Sequence, residues 1–297
     1  MTAIEPDTIE PTPEADILAL SSKEREIRVQ NLITQSHEIV KATLDEHTDG
    51  HTIMAKVALF SGGGDSTVLT HVMRETCTHV AHINTGIGIE QTREFVRDTC
   101  KDWGLPLIEK HPPVTYRELV LERGFPGPGM HWKMYTRLKE RCLDQVRRDF
   151  VIKPRQQRIL FLAGRRRSES QRRAQIPLNE RRGSVIWCSP IAFWTKLDLN
   201  TYRAMYKVPL NPVSACLHMS GECLCGAFAK PGELDEIGFW YPEMKAEIQK
   251  LEAEVRAAGH PEPLCIWGNR QGKPSKSGAL CSDCEVNYKA LSKLDFL

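Results

Sequence analysis

The sequence lacks the features that would direct the chain to a membrane or through one. No uninterrupted apolar run approaches the ~18 residues of a membrane-spanning helix. The first twenty residues contain five acidic residues and neither Lys nor Arg, whereas signal and transit peptides are basic. We therefore expect a cytoplasmic protein without membrane association.

Two common nucleotide-binding motifs are also missing, although a glycine-rich loop is present. No loop ends in Gly-Lys-Ser or Gly-Lys-Thr, which excludes a Walker A motif, and no glycines have G-x-G-x-x-G spacing. The glycine-rich loop follows an apolar stretch at residues 55–60 and has the residues Ser61, Gly62, Gly63, Gly64, Asp65, Ser66 and Thr67.

This loop, called the phosphate loop below, has the composition of an anion site. Consecutive glycines can turn several backbone N–H groups toward one point, and a helix starting near Ser66 adds a positive dipole end. The hydroxyls of Ser61, Ser66 and Thr67 are further donors. Because Asp65 would repel a bare phosphate, we expect Mg²⁺ to bridge Asp65 to the phosphates.

Strand-like and helix-like segments alternate through the middle of the chain and predict an α/β fold with a mostly parallel, doubly wound sheet. The predicted strands are residues 55–60, 79–84, 105–109, 158–163 and 185–188, and helices are predicted between them. Four regions are expected: a disordered acidic tail (1–20), an N-terminal helix (21–50), a nucleotide-binding domain (51–208) and a cysteine-rich appendage (209–297).

Basic residues are concentrated between positions 153 and 182, with nine arginines in that stretch. Such a concentration is typical of a surface that binds a polyanion, such as tRNA or DNA, or a phosphate-bearing small molecule. A solvated basic face without a ligand is the alternative.

The ten cysteines fall into two groups. Four are scattered singly and are interpreted as core residues: Cys77, Cys100, Cys142 and Cys188. The other six lie in Gly-, Ser- and Pro-rich surroundings, and Cys281 and Cys284 have metal-ligand spacing. One [4Fe–4S] cluster or one Zn²⁺ could be bound by four of the five residues Cys216, Cys223, Cys225, Cys281 and Cys284, with Cys265 a weaker candidate.

Five segments in order resemble the phosphoadenosine phosphosulfate (PAPS) reductase branch of the PP-loop, or N-type ATP pyrophosphatase, superfamily. They are the phosphate loop, His82-Ile83-Asn84-Thr85-Gly86, the stretch from Thr92 to Val96, the run 164–174 (GRRRSESQRRA), and Pro190-Ile191 followed by Pro209-Leu210-Asn211-Pro212. The resemblance covers residues 55–230 and implies a Rossmann-like, HUP-type nucleotide-binding fold.

The resemblance also implies roles for individual residues. The phosphate loop would hold ATP, with Mg²⁺, or another adenylyl nucleotide, and the strand end Asn84, Thr85 and Gly86 would border the adenosine. Arg165, Arg172 and Arg173 would contact the anionic part of the substrate, and Glu169 would order these arginines or bind metal. Asp65, Arg165 and Glu169 are accordingly the predicted catalytic residues.

Family members that carry a cluster on cysteines after the l-P-x-N-P element favour a [4Fe–4S] cluster over Zn²⁺ here. The expected ligands are Cys216, Cys223, Cys225 and Cys284, with Cys281 as the alternative fourth ligand. A chain without any metal remains a further alternative.

The reaction is less determined than the family, because the sequence lacks the C-terminal E-C-G-x-H element that carries the thiol of PAPS reductases. The first hypothesis is adenylation of a substrate with release of pyrophosphate, followed by sulfur transfer, with tRNA or DNA as an acceptor bound by residues 153–182. The second is a sulfonucleotide reductase whose thiol is Cys223 or Cys225. A nucleotide-binding partner without turnover is the third. A sulfur donor or an electron donor protein would be needed, and a homo-oligomer is left open.

Overall fold

The computed structural model describes residues 10–269, and in this part of the chain six strands form one sheet. The strand order is β3-β2-β1-β4-β6-β5. Neighbouring strands are parallel except for β5, which pairs antiparallel with β6 at the edge. The strands are β1 (Thr52–Leu59), β2 (His79–Ile83), β3 (Leu107–Lys110), β4 (Gln157–Leu162), β5 (Asn179–Arg182) and β6 (Val185–Cys188).

Helices cover the sheet and extend beyond its ends. They are α1 (Glu14–Ala19), α2 (Ser22–His47), α3 (Gly64–Val72), α4 (Glu90–Asp102), α5 (Tyr116–Arg123), α6 (His131–Tyr135), α7 (Arg141–Phe150), α8 (Lys196–Tyr206), α9 (Pro212–Leu217), α10 (Glu233–Trp240) and α11 (Pro242–Ala257). Within residues 10–269, no helix is long and apolar enough to cross a membrane.

Each face of the sheet packs against its own hydrophobic core, because successive side chains of a β-strand point to opposite faces. In β1, Ala58 belongs to the core that also contains side chains of α2, α3, α4 and α8. Its neighbour Val57 belongs to the core on the opposite face, which includes Leu143 and Val146 of α7. Both faces are therefore apolar, which explains why the strands read as continuous hydrophobic runs and confirms the doubly wound α/β prediction.

The N-terminal region is more ordered than predicted where the structure describes it. Residues 1–9 of the expected disordered tail lie outside the described residues, but α1 forms within the remainder and buries Ile17 completely. The N-terminal helix α2 agrees with its prediction, and it begins with a capping box in which Ser21 and Glu24 exchange hydrogen bonds.

Three further details differ from the sequence-based elements. The helix predicted between strands 105–109 and 158–163 is not continuous, because a π-helical segment, Thr136–Glu140, joins α6 to α7. Strand β5 was missed because its residues, Asn179–Arg182, are polar and lie at the sheet edge. The short helices α5, α9 and α10 were missed as well.

A third core shows that the predicted appendage is packed onto the nucleotide-binding domain. Residues beyond 209, such as Leu217, Leu224 and Ile248, share this core with Ile87 and Leu119. The described part of region 209–297 therefore shares a hydrophobic core with the rest of the described chain. Cys281 and Cys284 lie outside the described residues.

Candidate nucleotide and thiol site

The candidate site lies where the strand order changes direction. β1 and β4 are adjacent in the sheet, but the chain runs from β1 toward β2 and β3 on one side and from β4 toward β6 on the other. In open α/β sheets, the crevice at the carboxyl ends of such strands is the usual place for a ligand. The phosphate loop follows β1, and Gly164 follows β4.

Glycines are required where the phosphate loop meets its neighbours. Gly62 has a φ of +78°, and a Cβ there would lie 2.8 Å from Cγ2 of Thr92. A Cβ at Gly164 would lie 3.2 Å from backbone atoms of Asp65 and Ser66. The loop is thus held in place between the end of β4 and α4, as a loop that must present its backbone N–H groups requires.

The hydroxyls of the phosphate loop serve mainly to fix the loop itself. Ser66 Oγ donates to the carbonyl oxygen of Gly63 at 2.9 Å and accepts from the Ser61 N–H at 3.2 Å. Thr67 Oγ1 also donates to Gly63 O, at 2.9 Å, and Thr67 is 1% exposed. Of the three predicted donors, Thr67 is therefore structural, whereas the partly exposed Ser61 can still turn toward a ligand.

Asp65 forms an ion pair with a protein cation, and its predicted role in binding Mg²⁺ stays a prediction. Its Oδ2 accepts a hydrogen bond of 2.9 Å from Nε of Arg166, whose side chain is fully buried. A guanidinium at this distance neutralises the carboxylate that the sequence assigned to Mg²⁺. Arg166 was not among the predicted residues, because nothing in the run of three consecutive arginines, 165–167, indicates that the middle side chain points inward.

Arg165 carries buried donors that no group in the described part of the chain satisfies. Its Nε and Nη2 have no hydrogen-bond partner among residues 10–269, and its guanidinium lies 5.7 Å from the centre of the Trp187 ring. Burial lowers the pKa of Arg165 below its usual value, although the group stays charged near neutrality. Unsatisfied, buried guanidinium donors are suited to an anionic ligand.

The other side chains predicted to bind the ligand within residues 164–174 already contact protein groups. Glu169 forms an ion pair with Arg173 four residues later. The guanidinium of Arg172 lies 5.7 Å from the centre of the Phe228 ring and is exposed. Arg165 and Arg173 both lie close enough to Tyr135 to act electrostatically on its hydroxyl. The structure thus brings Arg165 and Arg173 together and directs Arg172 outward.

The predicted adenosine border is built mostly from groups that are already paired. The Asn84 side-chain N–H donates to Glu109 at 2.9 Å, and the side-chain oxygen Oδ1 of Asn84 accepts from the Gly86 N–H at 3.1 Å. Thr85 is fully buried and donates its hydroxyl proton to the carbonyl oxygen of Glu222 at 2.8 Å. The side chains of Asn84 and Thr85 are therefore bonded within the protein. An adenosine bound at this strand end would contact backbone atoms of the strand.

The segment 211–228, called the cysteine segment below, crosses the same edge of the sheet. Asn211 donates to the carbonyl oxygen of Gly62 at 3.0 Å, and a Cβ at Gly63 would lie 3.3 Å from Cβ of Ser220. Further along, the Leu224 N–H donates to Ile87 O at 2.7 Å. The cysteine segment therefore passes directly over the phosphate loop.

Two of its thiols form a pair beside a partly buried ion pair. The side chains of Cys223 and Cys225 hydrogen-bond to each other, which lowers the pKa of Cys225 to about 7 and raises that of Cys223. Lys139, in the π-helical segment, lies 2.7 Å from Oε2 of Glu222 and favours the thiolate form of both cysteines. Cys225 is therefore the more readily ionised thiol of the pair, which lies beside the ion pair of Lys139 and Glu222.

The third predicted metal ligand lies apart from this pair. Cys216 hydrogen-bonds with the hydroxyl of Tyr241 at the start of α11. Within residues 10–269, no group of three or more His, Cys, Asp or Glu side chains is placed to hold a metal ion. The cysteines that the structure describes do not fit a cluster or Zn²⁺ site by themselves, and Cys284 and Cys281 lie outside the described residues.

Comparison with known proteins identifies similar sequences. The model of the phosphoadenosine phosphosulfate reductase domain matches residues 55–216, more than half of the chain. An adenosine 5'-phosphosulfate reductase of Chelativorans sp. is 29% identical over 206 residues, which cover 67% of this chain and 81% of the relative. That of Mesorhizobium japonicum is 28% identical over 200 residues, covering 66% of this chain and 75% of the relative.

Two solved structures have a distant likeness in fold. The phosphate complex of a phosphoadenylyl-sulfate reductase from Candida auris is 16% identical, with a TM-score of 0.45, covering 66% of this chain and 92% of that one. The U34-tRNA thiolase from Methanococcus maripaludis, with its [4Fe–4S] cluster, is 14% identical, with a TM-score of 0.41, covering 84% and 92%.

Proposed function

Because the chain belongs to the phosphoadenosine phosphosulfate reductase family, we propose that it reduces adenosine 5'-phosphosulfate with the thiols of Cys223 and Cys225. The observation that carries this proposal is the thiol pair itself, which lies in the segment that crosses the phosphate loop. The names of the two relatives described above support adenosine 5'-phosphosulfate as the substrate.

The ligand would be held by two elements on the carboxyl edge of the sheet. Backbone N–H groups of the phosphate loop and the amino end of α3 would bind the phosphate. The unsatisfied donors of Arg165 would receive the sulfate or the neighbouring phosphate oxygens. The ion pair with Arg166 neutralises the charge of Asp65, so this carboxylate would not repel the phosphate of the substrate.

The chemistry balances with the two thiols as the reductant. One thiolate attacks the sulfur, the S–O bond to AMP breaks, and AMP leaves with the electron pair. The neighbouring thiol, losing its proton to solvent, then attacks the sulfur atom of the sulfonated cysteine, so that a disulfide forms and sulfite leaves. The two thiols supply the two electrons that convert sulfate to sulfite, and an external dithiol or an electron donor protein restores them.

Lys139 would assist both steps through its charge. Its ammonium is adjacent to the thiol pair and is itself held by Glu222, whose side chain is 3% exposed. A fixed cation in a crevice stabilises the thiolate and attracts the anionic substrate.

Assays of AMP and sulfite formation from adenosine 5'-phosphosulfate, with dithiothreitol as reductant, test the proposal. We expect turnover by the wild type and a loss of at least ~100-fold in Cys223→Ser and Cys225→Ser, since the hydroxyl is a far weaker nucleophile. Cys77→Ser is the matched control, because Cys77 precedes β2 at the opposite edge of the sheet. Turnover by the double variant Cys223→Ser/Cys225→Ser would contradict the proposal.

Adenylation with sulfur transfer is the second candidate, and the missing E-C-G-x-H element favours it. It predicts pyrophosphate release from ATP in the presence of a tRNA or DNA acceptor, under anaerobic conditions. Pyrophosphate release without sulfite formation from adenosine 5'-phosphosulfate would select this reaction over reduction.

A further inference from the structure

A surface next to the candidate site combines exposed rings with cations that have no ion-pair partner among residues 10–269. It comprises His131, Trp132, Lys133, Tyr135, Arg137 and Arg172, and is called the Trp132 surface below. We propose that the Trp132 surface binds single-stranded polynucleotide, a function beyond the reduction of a sulfonucleotide.

Trp132 is the centre of this surface. It is 63% exposed, and the ammonium of Lys133 lies 5.6 Å from the centre of its ring. An indole of this exposure has given up little contact with water on folding, so packing does not explain it. A planar ring beside a cation is the arrangement on which a nucleobase stacks while its phosphate is neutralised.

A cavity adjoins the indole and is suited to one base. Its volume is about 170 Å³, and its lining includes Arg123, Met130, Trp132, Lys133, Met134 and Arg137. No carboxylate is among the described residues that line it. Arg123 pairs with Glu122 at the surface, whereas Arg137 has no ion pair within residues 10–269. The charge of the cavity is therefore complementary to an anion.

The surface continues from this cavity toward the phosphate loop. The His131 ring lies 4.8 Å from that of Phe228, and the exposed Arg172 lies over the same phenyl ring. Tyr135, one helical turn after Trp132, is 40% exposed and lies within the electrostatic reach of one carboxylate, Glu140, and of three cations, Lys139, Arg165 and Arg173. Rings and cations thus alternate over several positions, which fits a strand of nucleotides better than one mononucleotide.

The basic residues 153–182 do not form such a continuous face. Lys153 and Arg155 precede β4 at the amino edge of the sheet, and Arg158 is 3% exposed and bonded to the carbonyl oxygen of His47. Only the part from Arg165 to Arg173 lies on the carboxyl edge. The nucleic-acid partner predicted from the sequence is therefore proposed here for the Trp132 surface.

Fluorescence anisotropy of the full chain with a labelled oligo(U) tests this inference. We expect binding that weakens about tenfold in Trp132→Ala, through the loss of base stacking. Trp240→Ala is the matched control, because Trp240 is 50% exposed but lies on α10, outside the surface, and it should leave binding unchanged. Arg137→Gln should lower the slope of log affinity against log salt by about 1.

Several outcomes would overturn the inference: no binding of oligo(U), an equal loss in Trp240→Ala, equal affinity for duplex RNA, or displacement of oligo(U) by poly-glutamate, which would indicate an acidic protein partner. Retained binding in Cys223→Ser/Cys225→Ser supports the inference whether or not sulfite is formed. Failure of oligo(U) binding with intact sulfite formation would refute the Trp132 surface alone.

Discussion

The phosphate loop and the cysteine segment lie side by side but are built in different ways. The phosphate loop is shaped by bonds among its own residues, since Ser61, Ser66 and Thr67 all bond within residues 61–67. The cysteine segment is shaped by distant residues, including Thr85, Ile87 and Lys139. The first therefore carries a local sequence signature, whereas the second depends on the rest of the fold.

Gly88→Ala should have the largest effect, because it should displace the cysteine segment without disturbing the phosphate loop. A Cβ at Gly88 would lie 2.3 Å from the carbonyl oxygen of Glu222, and backbone cannot move aside as a side chain can. We expect turnover to fall about 100-fold through misplacement of the thiols, with nucleotide binding retained.

Gly129→Ala is the control for this change, since a Cβ at Gly129 would meet nothing within 4 Å. Steady-state sulfite formation and calorimetric binding of AMP measure the two effects. A simultaneous loss of AMP binding in Gly88→Ala would show that the two regions are not separable.

Glu222→Gln tests the charge that fixes the cysteine segment. The amide can still accept from the Thr85 N–H, but Lys139 loses its ion-pair partner. We expect a loss of roughly 2 kcal/mol in the free energy of unfolding, less than for a fully buried pair because the Lys139 side chain is 30% exposed.

Denaturant unfolding of Glu222→Gln, Lys139→Met and the double variant measures this coupling. The double variant should recover most of the loss, since no charge is then left unpaired. Additive losses in the double variant would indicate that the ion pair does not stabilise the segment.

Gly62→Ala tests the phosphate loop alone. The positive φ and the approach to Thr92 should displace the loop and weaken AMP binding about tenfold. Gly104→Ala is the control, because Gly104 also has a positive φ but has open space around it and lies outside the loop, so AMP binding should be unchanged. Equal AMP affinity in wild type and Gly62→Ala would mean that the loop is not the phosphate site.

The smallest effect concerns acid stability at the strand end that is predicted to border the adenosine. Hydrogen bonds from Arg97 lower the pKa of Glu109 to about 2 from the ordinary 4.5. Because the folded-state pKa is depressed, this contribution to stability is present above pH 4.5 and is lost as pH falls toward 2.

Glu109→Gln should remove about 1 kcal/mol of this acid sensitivity, after allowance for solvent screening of Arg97. Unfolding free energies of both proteins between pH 5 and 2.5, about the range of that titration, measure the difference. Parallel pH profiles would contradict the assignment.

The sequence predicted those parts of the fold and site that are encoded locally. The buried strands, the capping box of Ser21 and Glu24, and the phosphate loop each have a signature within a few residues. Arg166 and Lys139 could not be assigned, because their roles depend on partners at Asp65 and Glu222, which are remote in sequence. Spacing alone likewise did not show that Cys216 contacts Tyr241, and the grouping of Cys216 with Cys223 and Cys225 around a metal stays a prediction.

A single-turnover experiment tests the central claim most directly. Fully reduced protein is mixed with adenosine 5'-phosphosulfate without an external reductant, and sulfite, AMP and the remaining thiols are counted. We predict one sulfite and one AMP per chain, with the loss of two thiols that peptide mass mapping assigns to a Cys223–Cys225 disulfide. Sulfite formed while both of these thiols can still be alkylated, or a disulfide confined to Cys281 and Cys284, would contradict the claim.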